Sequence, residues 1–315
     1  MAASKIAPGQ CWPGGHVSPL HAHDPPRLRL ITFVRYPALE AAQELGYFAV
    51  ENLAVSVELT PSSTVQMQGL TAGRWDVAIT AFDNLLVSAA REGVQSVAFA
   101  VADIADLPFF ARPEIASYDD LRGRPLAADA VDTAFALVLR RLLLAHDLDY
   151  ARGDYDLVAV GGNPQRVESL LRGDTFAALV APPYDGQARE AGLRQLGHHR
   201  EVLPDYPGQM LAATADWLAV PANRDAAVRL LRAWLRGAEW VAANHDAAIA
   251  LLTRRQGISP RAATRLLDGV TADVGPDPIA MASVRDVRVA LGLVAGPGPP
   301  IERYYDASIY DEATR

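Results

Sequence analysis

Asp76-Val77-Ala78-Ile79-Thr80-Ala81-Phe82-Asp83-Asn84 reads as a short apolar strand running straight into a helix. Val77, Ala78 and Ile79 are apolar at consecutive positions, the pattern of a strand covered on both faces of a sheet. Thr80, Asp83 and Asn84 are polar residues able to cap a helix, and Leu85 to Arg91 continues without a breaker. A strand that ends in small and polar residues at a helix N-terminus is where open α/β sheets bind ligands, because unpaired backbone N–H groups gather there.

Working outward, the same alternation recurs. Upstream, Arg27–Phe33 is a strand, Ala38–Leu45 a helix stopped by Gly46, and Leu53, Val55, Val57 and Leu59 alternate with other residues in the period-two pattern of a second strand. Pro61-Ser62-Ser63-Thr64 reads as a loop and cap for a helix through Met67 and Leu70. Downstream, strands are expected at 96–102, 108–113, 125–128, 155–160, 176–180 and 210–214. Phe135, Val138, Leu139, Leu142 and Leu143 mark one face of a helix between them. From Asp225 the chain turns helical, with Val228, Leu231, Leu235, Ala238 and Val241 as one stripe and shorter helices at 246–254 and 259–269. Gly296–Pro300 is a turn-rich connector to a polar end. Strands alternating with helices point to the α/β class, with mixed, mostly parallel sheets and helices on both faces.

A chain of 315 residues is long enough for two lobes with separate cores, and half of its residues are apolar. A net charge of −8 argues against nucleic acid and anionic membranes as partners. With Cys11 as the one cysteine, neither an internal disulfide nor a thiolate zinc cluster is available. No stretch approaches the roughly 20 apolar residues that span a bilayer, so membrane insertion is not expected. Residues 1–26 read as a flexible tail, and His21-Ala22-His23-Asp24 as solvated rather than metal-binding. This segment lacks the apolar core of a secretory signal, which places the chain in the cytoplasm as written, and in the periplasm or outside the cell if the start lies upstream.

A family likeness then emerges. Ala41-Ala42-Gln43-Glu44-Leu45-Gly46-Tyr47-Phe48, followed by Glu51-Asn52-Leu53-Ala54-Val55, resembles periplasmic binding proteins for nitrate, sulfonates and thiamine-pyrimidine precursors, the substrate-binding components of ABC transporters. Gly69-Leu70-Thr71-Ala72-Gly73-Arg74-Trp75-Asp76-Val77-Ala78 and Tyr118-Asp119-Asp120-Leu121-Arg122-Gly123-Arg124-Pro125 are similar to that family's next motifs, in the same order. The resemblance implies a two-lobed type II periplasmic-binding-protein-like fold with a ligand cleft between lobes that close by hinge motion. It implies a first lobe of residues 27–111 plus 214–315 and a second of 112–213, with crossings near Ala111–Pro113 and Ala212–Thr214. It also implies a small organic ligand (a sulfonate, a pyrimidine precursor or an aromatic acid), an ABC permease partner if the protein is exported, and no cofactor. Enzymes occur on the same fold, so the alternative is a cytoplasmic decarboxylase or lyase acting on an aromatic or heteroaromatic acid. The desulfinase type needs a cysteine after the first strand, where this chain has Val34-Arg35-Tyr36.

On that fold, loops at the C-terminal ends of strands line the cleft. They are Arg35, Tyr36, Ser62, Ser63, Thr64, Thr80, Phe82, Asp83 and Asn84 in the first lobe, and Asp129, Asp132, Thr133, Pro183, Tyr184 and Asp185 in the second. Tyr36 and Phe82 are suited to stack on a planar ligand and Arg35 to pair with its anion. An enzyme would draw its acid or base from Asp83, Asp129, Asp132 or Asp185. His198-His199 reads as two exposed surface histidines. No Ser-His-Asp order, phosphate-cradling glycine loop or HExxH pattern appears, and no metal site is expected.

Overall fold

The computed structural model describes residues 25–132, 134–271 and 273–315. The tail expected over residues 1–26 lies outside this range up to residue 24, with Cys11 and the His21–Asp24 group, and so does Thr133.

Strand β1 (Arg27–Thr32) pairs in parallel with β2 (Ala54–Leu59) on one side and β3 (Val77–Thr80) on the other. All four residues of β3 are buried, as an apolar run at the centre of a covered sheet must be. Helices α1 (Pro37–Glu44) and α2 (Tyr47–Val50) join β1 to β2, and α3 (Ser63–Thr71) joins β2 to β3. Between α1 and α2, Gly46 sits at φ 72°, a left-handed conformation in which glycine carries no Cβ clash. The Ser62 hydroxyl caps α3 by accepting the Val65 N–H at 3.2 Å. Helix α4 (Phe82–Glu92) follows β3 after a single residue and leads to β4 (Ser96–Val101). The order of this five-stranded sheet, among the described residues, is β2-β1-β3-β10-β4, where β10 (Met210–Thr214) runs antiparallel to both neighbours.

The second lobe is built on β5 (Pro108–Ala111), which lies antiparallel between β8 (Ala177–Leu179) and β9 (Arg194–His198). Beside them β6 (Pro125–Ala128) and β7 (Asp156–Ala159) pair in parallel, and the Phe176 N–H donates to Pro125 O at 2.9 Å across the junction with β8. Helices α5 (Phe135–Leu144), α6 (Asn163–Arg172) and α7 (Tyr184–Glu190) flank these strands.

Helices α8 (Ala215–Leu218), α9 (Pro221–Ala243), α10 (His245–Gln256), α11 (Pro260–Leu267), α12 (Pro278–Ala290) and α13 (Ala307–Ala313) complete the chain. No described helix is long and apolar enough to cross a membrane. Helix α9 packs along α1, and a Cβ on Gly237 would stand 2.2 Å from Ala38 O, so this contact requires glycine. Helix α12 packs on α4 of the first lobe and on α5 of the second, and α11 packs on α7. The helical tail therefore completes lobe one and also reaches across to lobe two.

The lobe boundaries differ from those expected. β5 belongs to the second sheet, so the first crossing is 102–107 rather than Ala111–Pro113. β10 lies wholly in the first sheet, so the second crossing precedes Met210 instead of falling at Ala212–Thr214. The sheets also hold more antiparallel pairing than strand–helix alternation suggests. Each takes in a strand delivered by a crossing, and those strands, β5 and β10, are antiparallel to the neighbours they join.

Candidate functional site

The two crossings run side by side. Ala102 N–H donates to Gln209 O at 2.6 Å, and Gln209 N–H donates to the Asp103 carboxylate at 2.7 Å. A Cβ on Gly208 would stand 1.7 Å from Asp103 O, so the strands of the hinge meet at a point where only glycine fits. Above them, a cavity of about 250 Å³ is lined by the β1–α1 loop, the start of α4, both crossings, the α5 and α6 ends of the second lobe and the end of α11. Phe33, Tyr36, Phe135 and Trp234 supply aromatic wall, with Tyr36 packed on Trp234 at 5.7 Å between ring centroids.

Arg166, Asn84 and Asp103 are polar side chains among those that line this cavity. Arg166 is only 3 % exposed; its Nη groups donate to Leu179 O (2.6 Å) and to Asn163 Oδ1 (2.9 Å), and its Nε has no partner. Burial pulls its guanidinium down to about 10, with Asp129 opposing, so it is still a cation at neutral pH. Asn84, also 3 % exposed, places one end of its amide on the Thr80 hydroxyl at 2.9 Å and leaves the other end unpartnered. Burial pushes the Asp103 carboxyl up to about 7, held back by the Gln209 N–H.

The lobes are tied across the seam by a reciprocal arrangement. Asp83, at the start of α4, accepts the Ala134 N–H at the start of α5 at 2.7 Å. Asp129, at the end of β6, accepts the Ser63 N–H at the start of α3 at 3.1 Å. Each carboxylate thus meets the positive end of a helix in the opposite lobe. Arg288 of α12 binds both oxygens of Asp83 at 3.0 Å and also donates to Asp132 O. Arg91 pairs with the Asp132 side chain, and Arg265 of α11 joins Asp185 at 3.0 Å and Asp106.

Of the residues expected in the cleft, Tyr36, Asn84 and Asp129 line this cavity. Arg35, Pro183 and Tyr184 line a separate outer groove, and Arg35 pairs with buried Glu40 at 3.1 Å, so it does not serve as the anion contact of the inner cavity. Phe82 is a core residue packed edge-on against Tyr304 and is not exposed to a ligand. Thr80 is buried against Asn84, Ser62 caps α3, and Thr64 is exposed on the first turn of that helix. Ser63, Asp83, Asp132 and Asp185 are committed to the interlobe ties. None of Thr80, Asp83 and Asn84 caps α4, whose cap position is Ala81 with no side-chain bond. His198 is half-buried and bonded to Asp106 at 2.7 Å, while His199 is 1 % exposed and accepts the Leu107 N–H, so neither is a free surface histidine. Arg166, Asp103, Phe33, Phe135 and Trp234 carry no local signal of a cavity role, since each sits in a segment read as an ordinary strand end, loop or helix. Among the described residues no group of three His, Cys, Asp or Glu side chains is placed to hold a metal ion.

The chain resembles several solved structures over nearly its whole length. It superposes on the ligand-binding component of an ABC-type import system from Staphylococcus aureus, solved with zinc bound, with a TM-score of 0.77 at 14 % identity over 91 % of this chain and 99 % of that one. The nitrate-binding protein of Synechocystis PCC 6803 gives a TM-score of 0.74 at 16 % identity, over 91 % and 88 %. The alkanesulfonate-binding protein of Xanthomonas axonopodis, bound to MOPS, gives 0.73 at 15 % identity, over 90 % and 100 %. A search of curated protein sequences gives no match. The sequence pattern of the NMT1-like family matches residues 120–253. Fold and pattern bear out the resemblance read from the sequence: the chain has the type II periplasmic-binding-protein fold, and its residues 120–253 match the NMT1-like family.

Proposed function

We propose that this chain is a solute-binding protein that holds a small organic molecule between its lobes, as the substrate-binding component of an ABC importer. The observation that carries the reading is the cavity of about 250 Å³, which is lined from both lobes and by the two crossings about which such lobes hinge. Its mixture of aromatic wall and a few fixed polar groups suits an organic solute of the sulfonate, pyrimidine-precursor or aromatic-acid classes. A permease partner and a periplasmic location go with this reading, because one similar solved structure is described as the ligand-binding component of an ABC-type import system, and others named as sulphonate- and nitrate-binding proteins are described as periplasmic. Thermal unfolding in the presence of sulfonates, pyrimidines, aromatic acids and amines tests it. Ligand at a hundredfold excess over Kd should stabilise the protein by about 2.7 kcal/mol. A flat response across all four classes would remove the proposal.

A second reading, an aromatic-acid decarboxylase or lyase on the same scaffold, has one observation in its favour. Asp103 is a half-buried carboxyl in the cavity, with desolvation raising it to about 7, the range of a general base. Asp83 and Asp132, tied to Arg288 and Arg91, are not among the residues that line the cavity. Product detected by mass spectrometry with wild-type protein and lost in Asp103→Asn would support the enzyme.

A further inference from the structure

We propose that the cavity is built for an amphoteric aromatic molecule, one that carries both an anionic group and an N–H donor, rather than for a simple anion. The inference rests on the solute-binding reading and narrows its ligand class.

The argument starts from charge. Arg166 is a buried guanidinium with no carboxylate within ion-pair distance among the described residues; its two bonded partners, Leu179 O and Asn163 Oδ1, are neutral. Leaving a buried charge without a counter-ion is costly, and here the guanidinium belongs to a side chain that lines the cavity. A carboxylate or sulfonate on the ligand supplies the missing charge. On its own this would describe a plain anion site.

A second group in the same lining argues against that. Asp103 presents a carboxyl whose one hydrogen bond among the described residues is from the Gln209 N–H, leaving acceptor capacity unused. A ligand bearing only an anion would leave this acid unmatched, or repel it when ionised. An ammonium, aniline or ring N–H satisfies it. Asn84 adds a polar side chain to the same lining. The rings of Phe33, Tyr36, Phe135 and Trp234 line the same cavity and favour a planar body. The selection is sharp because each buried polar group goes unpaired when the matching ligand group is missing.

The proton count adds a consequence. With its carboxyl raised to about 7 in the empty site, Asp103 is largely protonated in mildly acid solution. A donor or cation placed against it favours the carboxylate, so binding below pH 7 should release a proton.

Isothermal titration calorimetry with the full chain tests the proposal. The probes are the three aminobenzoate isomers, which vary the spacing of the two groups, against benzoate, benzenesulfonate, ethanesulfonate and aniline. At least one aminobenzoate should bind tenfold or more tightly than benzoate and aniline, with proton release at pH 6 detected by changing the buffer. Asp103→Asn should erase that proton release and most of the advantage over benzoate. Arg166→Lys should weaken every anion-bearing probe and spare aniline. If it fails to fold, Asp103→Asn carries the test, since it removes a carboxyl that burial disfavours as a charge. Binding of benzoate or a sulfonate as tight as that of every aminobenzoate overturns the amphoteric site and leaves solute binding standing. No binding by any probe removes the amphoteric site, and solute binding then depends on the wider ligand screen described above.

Discussion

Asp83 and Asp129 do the same thing in opposite directions, and their surroundings make them unequal. Asp83 projects from the first lobe to the Ala134 N–H, and Asp129 projects from the second lobe to the Ser63 N–H. Asp83 is 1 % exposed and locked by Arg288, whereas Asp129 lines the cavity and makes no ion pair among the described residues. One carboxylate is sealed into the seam; the other borders the space a ligand would fill. A charge at a helix terminus can serve as a structural rivet or as part of a site. Here the neighbouring cation decides which.

The largest test of this contrast is Asp83→Ala. It leaves the Arg288 guanidinium buried without its partner, and we expect a loss of about 3–5 kcal/mol in urea unfolding. Adding Arg288→Met should recover a large part of that loss. A single-variant effect below about 1 kcal/mol would break the distinction between rivet and site.

Asp103 extends the comparison to a carboxyl that has neither a cation nor a helix end. Its folded value of about 7 lies above its ordinary value of 3.8, so the folded chain binds the proton more tightly than the unfolded one. The stability from this group is fully present below about pH 4 and is lost as pH rises to about 7, with a slope of at most about 1.4 kcal/mol per pH unit. Melting temperatures of wild type and Asp103→Asn across pH 4 to 8 should diverge over that window, with the variant's profile the flatter. Parallel profiles would mean that Asp103 is ionised in the fold.

Asp129→Ala removes a charge-assisted bond to a helix terminus and no ion pair, so it should cost only about 1–2 kcal/mol. Its sharper readout is amide exchange at Ser63, which should quicken in the variant. A loss as large as that of Asp83→Ala would erase the contrast. The smallest effect is that of Ser62→Ala on the same helix. It deletes the cap on the Val65 N–H and should cost about 1 kcal/mol, additive with Asp129→Ala only if the two caps act independently.

Much of the scaffold was legible because it depends on local pattern. The apolar run Val77–Ile79, the alternation in 53–59, the glycine after α1 and the Ser259-Pro260 start of α11 all translate into observed elements. Helix α12 was readable in principle: Asp277 caps it, and Met281, Val284 and Val287 recur at helical spacing on its buried face. It matters because it brings Arg288 to Asp83 across 205 residues of chain. The edges of the lobes were less legible. Pro108–Ala111 is an apolar strand under any reading, and only its hydrogen-bond partners say which sheet owns it.

By itself the sequence determined the α/β class, which follows from periodicity and turn chemistry over a few neighbouring residues, while the two-lobed plan and the loops expected at a ligand cleft came with its resemblance to a known family. Tertiary structure alone decided which of those loop residues face the cavity. Asp83 and Asn84 are adjacent in the chain, yet Asp83 is paired with Arg288 in the seam and Asn84 lines the cavity. Whether a polar side chain is spent on the fold or left for a ligand depends on which distant group packs against it, and no local pattern encodes that.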